Sequence, residues 1–524
     1  MKRRDFLKHT LPVVSLPGLL GGMNVHAFGA PSFLGFLPGM ADDTDHVLVL
    51  VQLNGGNDGL NTVIPLDIYS NYLNARNNVA IPQNKVLSLT GNTRTGLHPA
   101  MTGMQALYNE GQLAIVQAVG YPQPNFSHFR ATDIWMSASD SSEFVNTGWA
   151  GRYLNMQYPN FPNGYPTATM PDPLAIQIGS VTTLTCQGPV VNMGMSISNP
   201  TSFYNLVNGV SDAAPNTPAG DELSYVRTVA RQTQQYAETI KTAAAKVTQQ
   251  AAYPASNALA DQLKIVARLI KGGLKTRVYL TSMGGFDNHS AQVNTTDTIT
   301  GTHANLLKTL SDAIKAFQDD LKFLSIEDRV IGMTFSEFGR RIRSNASNGT
   351  DHGAAAPLFL FGKNVTPGVV GNSPAIPANA TTNDNIPFQY DFRSVYATVL
   401  QNWFCLPNQE VQSVMLKNFQ VLPIVNAKGC QVYNPDLSGK TLITNFPNPF
   451  EGLTTIQFST EGGHTLVQVI DMAGRVVANL VDKVYNGPAT DRVQWTGGGL
   501  AAGSYYARLQ NGSISQVRHM LKIR

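Results

Sequence analysis

Residues 47–61 of the chain read VLVLVQLNGGNDGLN, and this stretch indicates the class of fold. Its first part, 47–53, is a mostly apolar run of strand length, which is typical of a strand buried on both faces of a sheet. Glycines at positions 55 and 56 follow at once, and they let the backbone turn sharply and present Asp58 just beyond the strand end. The stretch therefore predicts a central strand with a polar loop at its carboxyl end.

Similar strand-like runs alternate with segments of helical periodicity. The further predicted strands are residues 113–119, 174–178, 277–282, 329–335 and 358–361. The predicted helices are residues 127–138, 222–250, 258–270, 303–324 and 391–404. Because strands separated by helices are joined by parallel crossovers, we expect an α/β fold with a helix-flanked, mostly parallel sheet.

Beyond about residue 439 the pattern changes to short alternating strands with glycine turns and no helical period. These strands are predicted at residues 454–459, 465–471, 475–481, 492–495, 504–510 and 516–523. A chain of 524 residues is also long enough for more than one core. We therefore predict a large domain at 45–438 and a small all-β sandwich at 442–524.

The first 30 residues have the pattern of an export signal. Two arginines, Arg3 and Arg4, precede a modestly apolar stretch that is too short and too broken by Pro and Gly to span a membrane. The sequence RRDFLK resembles the twin-arginine (Tat) signal, which implies the Tat translocase as an export partner. An ordinary Sec leader is the alternative, and both place the mature protein outside the cytoplasm. We expect no transmembrane segment.

Charge and cysteine content exclude two further classes of function. Charged residues of the leader account for the whole formal charge of +3, so no basic face for nucleic acid is expected. The 3 cysteines include no C-x-x-C pair, which excludes a zinc ribbon or a redox dithiol. Cys405 and Cys430 can pair in an oxidising compartment, and free buried thiols are the alternative.

Acidic residues and histidines follow several predicted strands. Asp58 follows the first strand, Asp287 and His289 follow the strand at 277–282, and Asp351 and His352 come soon after the strand at 329–335. Since functional groups of such sheets gather at the carboxyl ends of the strands, these side chains predict a site for a divalent metal such as zinc or manganese. The alternative for each is the capping of a helix or the closing of a turn.

The C-terminal segment closely resembles the type A sorting domain of type IX secretion. The resemblance rests on PNPF (447–450), VIDMAGRVV (469–477), LAAGSYY (500–506) and the terminal Lys522. It implies passage through the outer membrane by the type IX machinery. It also implies a protein that is extracellular or attached to the outer-membrane surface.

The middle of the chain resembles the bacterial family called domain of unknown function 1501. The matching segments, which span roughly residues 45–406, are GGNDGLN (55–61), TGLHP (95–99), NFSHFRATDIW (125–135), GWAGRYL (148–154), GGFDNH (284–289), SEFGRR (336–341), NGTDHG (348–353) and DFRSVY (391–396). That family is grouped with the alkaline phosphatase and sulfatase superfamily, so the resemblance implies an alkaline phosphatase-like fold. It also implies two metals held by residues at matching positions: Asp58 as an early ligand, Asp287 and His289 as a middle set, and Asp351 and His352 as a late pair.

The same resemblance suggests catalytic residues near the start of the helix predicted at 127–138. Ser127 is the expected nucleophile and Arg130 the expected clamp for a phosphate or sulfate, with His128 between them as a third catalytic candidate. A plain helix cap and a surface arginine are the alternatives for Ser127 and Arg130. The late metal-binding histidine of the superfamily is missing, and His303 is its candidate substitute; ordinary helix capping is the other interpretation of His303.

These observations predict a secreted or surface-attached metal-dependent hydrolase of phosphate or related esters, acting on an unknown small-molecule or glycan substrate. The chain lacks the C-x-P-x-R and S-x-P-x-R signatures, so a formylglycine sulfatase is not expected. The alternative, suggested by the missing late histidine, is a non-catalytic surface protein whose phosphatase-like domain binds a glycan or a protein partner.

Overall fold

The structure is a computed structural model that describes residues 44–199, 236–426, 442–446, 450–460, 462–471, 475–512 and 514–522. The chain divides into two compact units, 41–433 and a second that contains 434–524. The predicted leader lies outside the described residues, as do Cys430 and the first part of the helix predicted at 222–250. The rest of that helix is helical over residues 236–245.

A mixed sheet of nine strands forms the centre of the described part of the larger unit. The strands of this unit are β1 Val47–Leu53, β2 Val63–Pro65, β3 Leu87–Leu89, β4 Asn92–Leu97, β5 Leu113–Gly120, β6 Ala175–Ile178, β7 Gly194–Ile197, β8 Val278–Met283, β9 Val330–Phe335, β10 Gly339–Ser344, β11 Thr350–Gly353, β12 Ala356–Phe361, β13 Gly368–Val370 and β14 Tyr390–Asp391. The strand order is β13-β5-β12-β9-β1-β8-β6-β7, with β14 also paired to β5. Strands β2, β4 and β3 form a small separate sheet, and β10 and β11 form a hairpin.

All neighbouring strands of the large sheet are parallel except at β12, which runs antiparallel to both β5 and β9. The carboxyl ends of β1, β5, β8 and β9 therefore lie at one edge of the sheet. The predicted helix-flanked, mostly parallel sheet is confirmed, and each of the six predicted strands is present. The direction of β12 differs from the predicted parallel crossovers because the β10–β11 hairpin, and no helix, connects it to β9.

Helices cover both faces of this sheet. The helices are α1 Gly59–Thr62, α2 Tyr69–Ala75, α3 Thr102–Asn109, α4 His128–Ser137, α5 Trp149–Gln157, α6 Ala258–Lys271, α7 Thr302–Phe323, α8 Phe392–Thr398 and α9 Asn408–Met415. Helix α8 continues into a π-helical turn, Val399–Trp403. Short 3-10 turns lie at Gln83–Lys85, Leu184–Cys186 and Glu327–Arg329.

Two apolar layers hold the sheet between the helices. Leu48 and Leu50 of β1 face one layer, which contains Trp149 of α5, while Val49 faces the other, which contains Phe317 of α7. Alternate residues of a strand point to opposite faces, so a strand covered on both sides is apolar at nearly every position. This explains the unbroken run at 47–53. Near the sheet Cys186 is a free, buried thiol, whereas Cys405 is disulfide-bonded.

The smaller unit is an antiparallel sandwich, as predicted. Its strands are β15 Leu442–Phe446, β16 Thr454–Thr460, β17 Gly463–Asp471, β18 Val476–Tyr485, β19 Ala489–Trp495, β20 Gly503–Asn511 and β21 Ile514–Lys522. They form sheets with the orders β15-β16-β19 and β18-β17-β20-β21. The core between them includes Phe458, Val469 and Leu509. Strand β15 was not predicted from the sequence, because the turn-rich PNPF that follows it suggested an irregular entry.

Candidate metal centre

The loops that follow β1, β8 and β9 are packed tightly against one another at the carboxyl edge of the sheet. Gly55 has φ +119°, and a Cβ there would lie 2.4 Å from the backbone nitrogen of Asp287. A Cβ on Gly56 (φ +79°) would lie 2.3 Å from the ring of Phe338. Glycine at both positions therefore allows the first loop to contact the loops that carry the candidate residues.

Three histidines turn the Nε2 atom of their rings toward the carboxylate of Asp287. The Nε2 atoms of His289 and His352 both lie 3.1 Å from Oδ1 of Asp287, and Nε2 of His128 lies 3.4 Å from its Oδ2. The Nε2 atoms of His289 and His352 are 2.9 Å apart. The residues come from the start of α4, the loop after β8, and β11, so the fold brings together side chains that are distant in sequence.

Each of these rings has its other nitrogen, Nδ1, beside an oxygen. Nδ1 of His128 lies 2.9 Å from Oε1 of Glu337, and Nδ1 of His289 lies 3.1 Å from Oδ1 of Asp351. Nδ1 of His352 lies 2.8 Å from the carbonyl oxygen of Phe126. A carbonyl or a carboxylate only accepts hydrogen bonds, so each ring can donate to its oxygen from a protonated Nδ1. A ring that donates from Nδ1 can bind a metal ion through its Nε2.

Glu337 and Asp351 are themselves held in place. Glu337 is buried, and its Oε1 also accepts a hydrogen bond from the backbone nitrogen of Gly55 at 2.7 Å. Asp351 accepts one from Nδ2 of Asn345 at 3.1 Å. Fixed acceptors behind the rings determine the tautomer and orientation of metal-binding histidines in many sites.

The charges around the centre keep its carboxylate ionised. Burial works against ionisation of Asp287, but hydrogen bonds from Arg340 and His352 outweigh it and lower the pKa of Asp287 to about 2. Burial lowers the pKa of His352, which favours the neutral ring. The centre remains open to solvent: the side chains of Asp287 and His289 are 47% and 45% exposed.

These residues fit a divalent metal ion. One ligand atom from each of His128, Asp287 and His352 lies within 4.8 Å of the others. An ion about 2.0–2.2 Å from each of its ligands spans such separations. The Nε2 atoms of His289 and His352, which are 2.9 Å apart, are close enough to bind one ion together. His128, Asp287 and His352 are therefore a candidate ligand set, which His289 joins through its contacts with Asp287 and His352, with Asp351 behind it.

Asp58 does not join this cluster. Its carboxylate lies 2.8 Å from Nη1 of Arg76, with both side chains buried, and it accepts a further bond at 2.6 Å from Nε2 of Gln292. Burial alone would raise the pKa of Asp58, but the charge and hydrogen bonds of Arg76 outweigh burial and lower it. The carboxylate is thus ionised and paired with Arg76.

His303 also lies apart from the four converging side chains. It is 1% exposed, and its Nε2 contacts Oδ1 of Asn57 at 3.0 Å. Burial lowers the pKa of His303 to about 4, so the ring is neutral near pH 7. Its ring packs edge-on against Phe286, the residue before Asp287, at a centroid distance of 6.4 Å. His303 therefore packs against the loop that carries Asp287.

Ser127 and Arg130 have different surroundings. Ser127 is exposed at the N-cap of α4, between Phe126 and His128, and its side chain makes no capping hydrogen bond. Arg130 instead donates from Nη2 to the carbonyl oxygens of Asp140 and Ser141, both at 3.1 Å, and its guanidinium lies 4.2 Å from the centroid of the Phe144 ring. This arginine holds the loop after α4.

Comparison with known protein families assigns most of the chain. Residues 45–415 match the model described as Protein of unknown function (DUF1501). The chain belongs to this DUF1501 family. The resemblance inferred from the sequence motifs is confirmed, and no curated protein matches the chain.

The second match explains how this DUF1501 protein is exported. Residues 444–523 match the Secretion system C-terminal sorting domain, which confirms the predicted sorting domain. The domain implies export by the type IX secretion system to the cell surface or the extracellular space. Among the described residues, the helices are all too short or too polar to cross a membrane.

Several solved structures resemble the DUF1501 chain at low identity. An alkaline phosphatase superfamily protein from Vibrio parahaemolyticus is 10% identical, with 92% of this chain and 83% of that chain covered and a TM-score of 0.33. The sulfatase PsFucS1 from Pseudoalteromonas sp. is 11% identical, with coverages of 86% and 84% and a TM-score of 0.34. The lipoteichoic acid synthase LtaP from Listeria monocytogenes is 9% identical, with coverages of 66% and 74% and a TM-score of 0.27.

Sequence reasoning missed two residues of this DUF1501 centre. Glu337 and Arg340 both lie in the quoted SEFGRR segment, but neither was singled out. The available signal was a carboxylate soon after a strand end, since Glu337 follows β9 as Asp58 follows β1. The role of Arg340 had no such signal, because most of its partners are backbone carbonyls.

Proposed function

We propose that this protein is a metal-dependent hydrolase of phosphate or related esters that acts at the cell surface or outside the cell. The observation that carries the proposal is the convergence of three imidazole Nε2 atoms on Asp287, each with its Nδ1 held by an oxygen. Metal-binding histidines are typically held in this way, with an oxygen behind each ring and the other nitrogen directed at the ion.

The donor set favours zinc. Three imidazole nitrogens and one carboxylate suit zinc better than magnesium or calcium, which prefer oxygen ligands. When bound, such an ion acts as a Lewis acid toward an ester oxygen and lowers the pKa of a coordinated water. Asp287 and the three histidines would hold it, and the acceptors behind the rings would keep them oriented.

Ser127 is the proposed nucleophile. It lies between two residues that contact the centre, since His128 faces Asp287 and the carbonyl of Phe126 holds His352. Its hydroxyl is exposed and makes no cap with the helix. The N-terminal end of α4 would also stabilise the negative charge of a phosphate or sulfate group. Arg130 is occupied by loop carbonyls, so it is not part of the proposed substrate site.

The same proposal covers the whole chain. A leader at 1–30 would use the Tat translocase, the domain at 45–438 would carry out hydrolysis, and the sandwich at 442–524 would direct transfer across the outer membrane. The substrate, a small molecule or a glycan ester, would be met outside the cell.

The test is turnover of aryl phosphate and aryl sulfate esters by the mature protein loaded with Zn²⁺. We expect hydrolysis that a chelator abolishes, that Asp287→Ala and Ser127→Ala reduce by at least about 100-fold, and that added Zn²⁺ restores in the wild type. His464→Ala in the sorting unit, whose ring lies 63% exposed, is the control and should have no effect. Turnover that survives the chelator would refute the proposal, and bound metal without turnover would favour the non-catalytic alternative.

A further inference from the structure

Arg340 occupies a cage of oxygen atoms next to the candidate metal centre. Its side chain is buried, and it donates from Nε to the carbonyl of Gly56 at 2.7 Å and from Nη1 to that of Thr350 at 2.8 Å. Its Nη2 donates to the carbonyls of Gly55 and Phe286. Backbone carbonyls of two loops and of strand β11 thus point their negative ends at one position, an environment that suits a cation.

The cage shares a ligand with the histidine cluster. Oδ1 of Asp287 lies 2.8 Å from Nη2 of Arg340 and also 3.1 Å from Nε2 of both His289 and His352. Asp287 therefore stands between the guanidinium on one side and the imidazole cluster on the other. In two-metal sites a carboxylate in this position commonly links two ions about 3.5–4 Å apart.

The side chains that could bind a second ion make other contacts. Asp58, the carboxylate expected as the early ligand, is paired with buried Arg76. His303, the expected substitute for the late histidine, contacts Asn57 through its Nε2. Asp351 and Glu337 each face an imidazole Nδ1. The two-metal arrangement implied by the sequence resemblance does not fit these residues.

We infer that the centre binds a single metal ion and that the guanidinium of Arg340 permanently takes the place of a second one. This inference rests on the proposed function, because it needs the first ion to be bound by the histidine cluster. It assigns to Arg340 a positioning role, because its charge balances Asp287 and its donors hold the two loops and β11 together. With 0% side-chain exposure, Arg340 does not touch substrate.

The number of ions bound by the full mature chain tests this inference. Metal-free protein is saturated with Zn²⁺ and, separately, with Zn²⁺ and excess Ca²⁺, unbound ions are removed, and the metal content is measured per chain. We expect one zinc and no calcium per chain. Two ions per wild-type chain would overturn the inference and leave the hydrolase proposal intact, whereas a chain that binds none would refute the metal centre itself.

Variants of Arg340 make the test specific. Arg340→Ala leaves the oxygen cage without its cation, so we expect the variant to bind one additional Ca²⁺, an ion that prefers oxygen ligands. Arg340→Lys keeps a positive charge in the cage and should bind zinc alone. The neighbouring Arg341→Ala is the control, with the stoichiometry of the wild type. A folded Arg340→Ala chain that takes up no calcium would overturn the inference, and the wild-type count decides it if that variant does not fold.

Discussion

At the scale of single residues, the centre depends on groups that never touch the proposed ion. Glu337 is buried behind His128, and its carboxylate both accepts from that ring and binds the loop after β1 through Gly55. A buried charge in this position makes the imidazole a stronger ligand and fixes its orientation. The sequence alone did not distinguish a metal ligand from a residue that positions that ligand.

Glu337→Gln should weaken zinc binding by about 10–100-fold without unfolding the protein. The amide preserves the shape of the side chain and removes the negative charge that supports His128. Competition with a chromophoric chelator measures the affinity, and a thermal melt monitors the fold. Glu327→Gln, which removes a surface charge beside Lys363 at 2.9 Å, is the matched control. Equal zinc affinity of Glu337→Gln and wild type would contradict the role given to Glu337.

The buried pair of Asp58 and Arg76 should contribute to stability and not to metal binding. Arg76→Met leaves the carboxylate buried and uncompensated, which costs about 3–5 kcal/mol, and Asp58→Asn added to it should recover part of that loss. Urea denaturation at neutral pH measures the free energy of unfolding of both variants. Zinc affinity of the double variant should equal that of the wild type; a large loss of affinity would return Asp58 to the ligand set.

The same pair predicts a direction for the pH dependence. The folded-state pKa of Asp58 is lowered from 3.8, so its contribution to the free energy of unfolding is complete above that unfolded value. It is lost as the pH falls below 3.8 toward the lower folded value. Between pH 6 and 3 the wild type should therefore lose more stability than the Arg76→Met, Asp58→Asn double variant. Equal losses of unfolding free energy in the two proteins over this pH range would contradict this account.

At the scale of elements, the sequence predicted those whose pattern is set by burial. Two strands, 47–53 and 329–335, are apolar at nearly every position because they contact the core on both faces. The helix at 303–324 has a helical apolar period because only one side of it contacts the core. The direction of β12 was missed although the segment between β9 and β12 shows no helical period. Strand β15 was missed because its neighbours suggested a turn.

The loop after β1 should tolerate no side chain at Gly55. Gly55→Ala places a Cβ 2.4 Å from the backbone of Asp287 in a backbone conformation with φ +119°, so it should destabilise the protein and displace Asp287. Gly91→Ala is the matched control: its φ is +76° and nothing lies within 4 Å, so it should cost only about 1–2 kcal/mol. Denaturant melts compare the stability of the two variants, and zinc titrations compare their zinc affinity. Equal effects of the two substitutions would show that contact between these loops is unimportant.

At the scale of the whole molecule, the C-terminal sorting domain was easier to predict from the sequence than the metal centre. The sorting domain, matched over residues 444–523, is recognised by short local motifs, so its residues identify it directly. The metal centre instead depends on which distant side chains converge. The sequence indicated that Asp287, His289 and His352 would meet at a sheet edge, but it did not distinguish them from Asp58, since the partner Arg76 is marked by no motif.

The sorting unit should act on its own as an export signal. A reporter joined to residues 442–524 and carrying a cleavable leader should reach the surface of a cell that uses type IX secretion. The control lacks β21, Ile514–Lys522, which pairs with β20 along its whole length and contributes buried Met520 to the core. Surface delivery of the control, or retention of the complete fusion inside the cell, would contradict the prediction.

The most direct test of the central claim is X-ray absorption at the zinc edge of the mature protein loaded with Zn²⁺. The account predicts a zinc ion bound by three imidazoles and at least one oxygen, with ligands at about 2.0–2.2 Å, and loss of the imidazole signature in a chain that carries His128→Ala, His289→Ala and His352→Ala together. A protein that binds no zinc, or one whose spectrum is unchanged by the three substitutions, would contradict it.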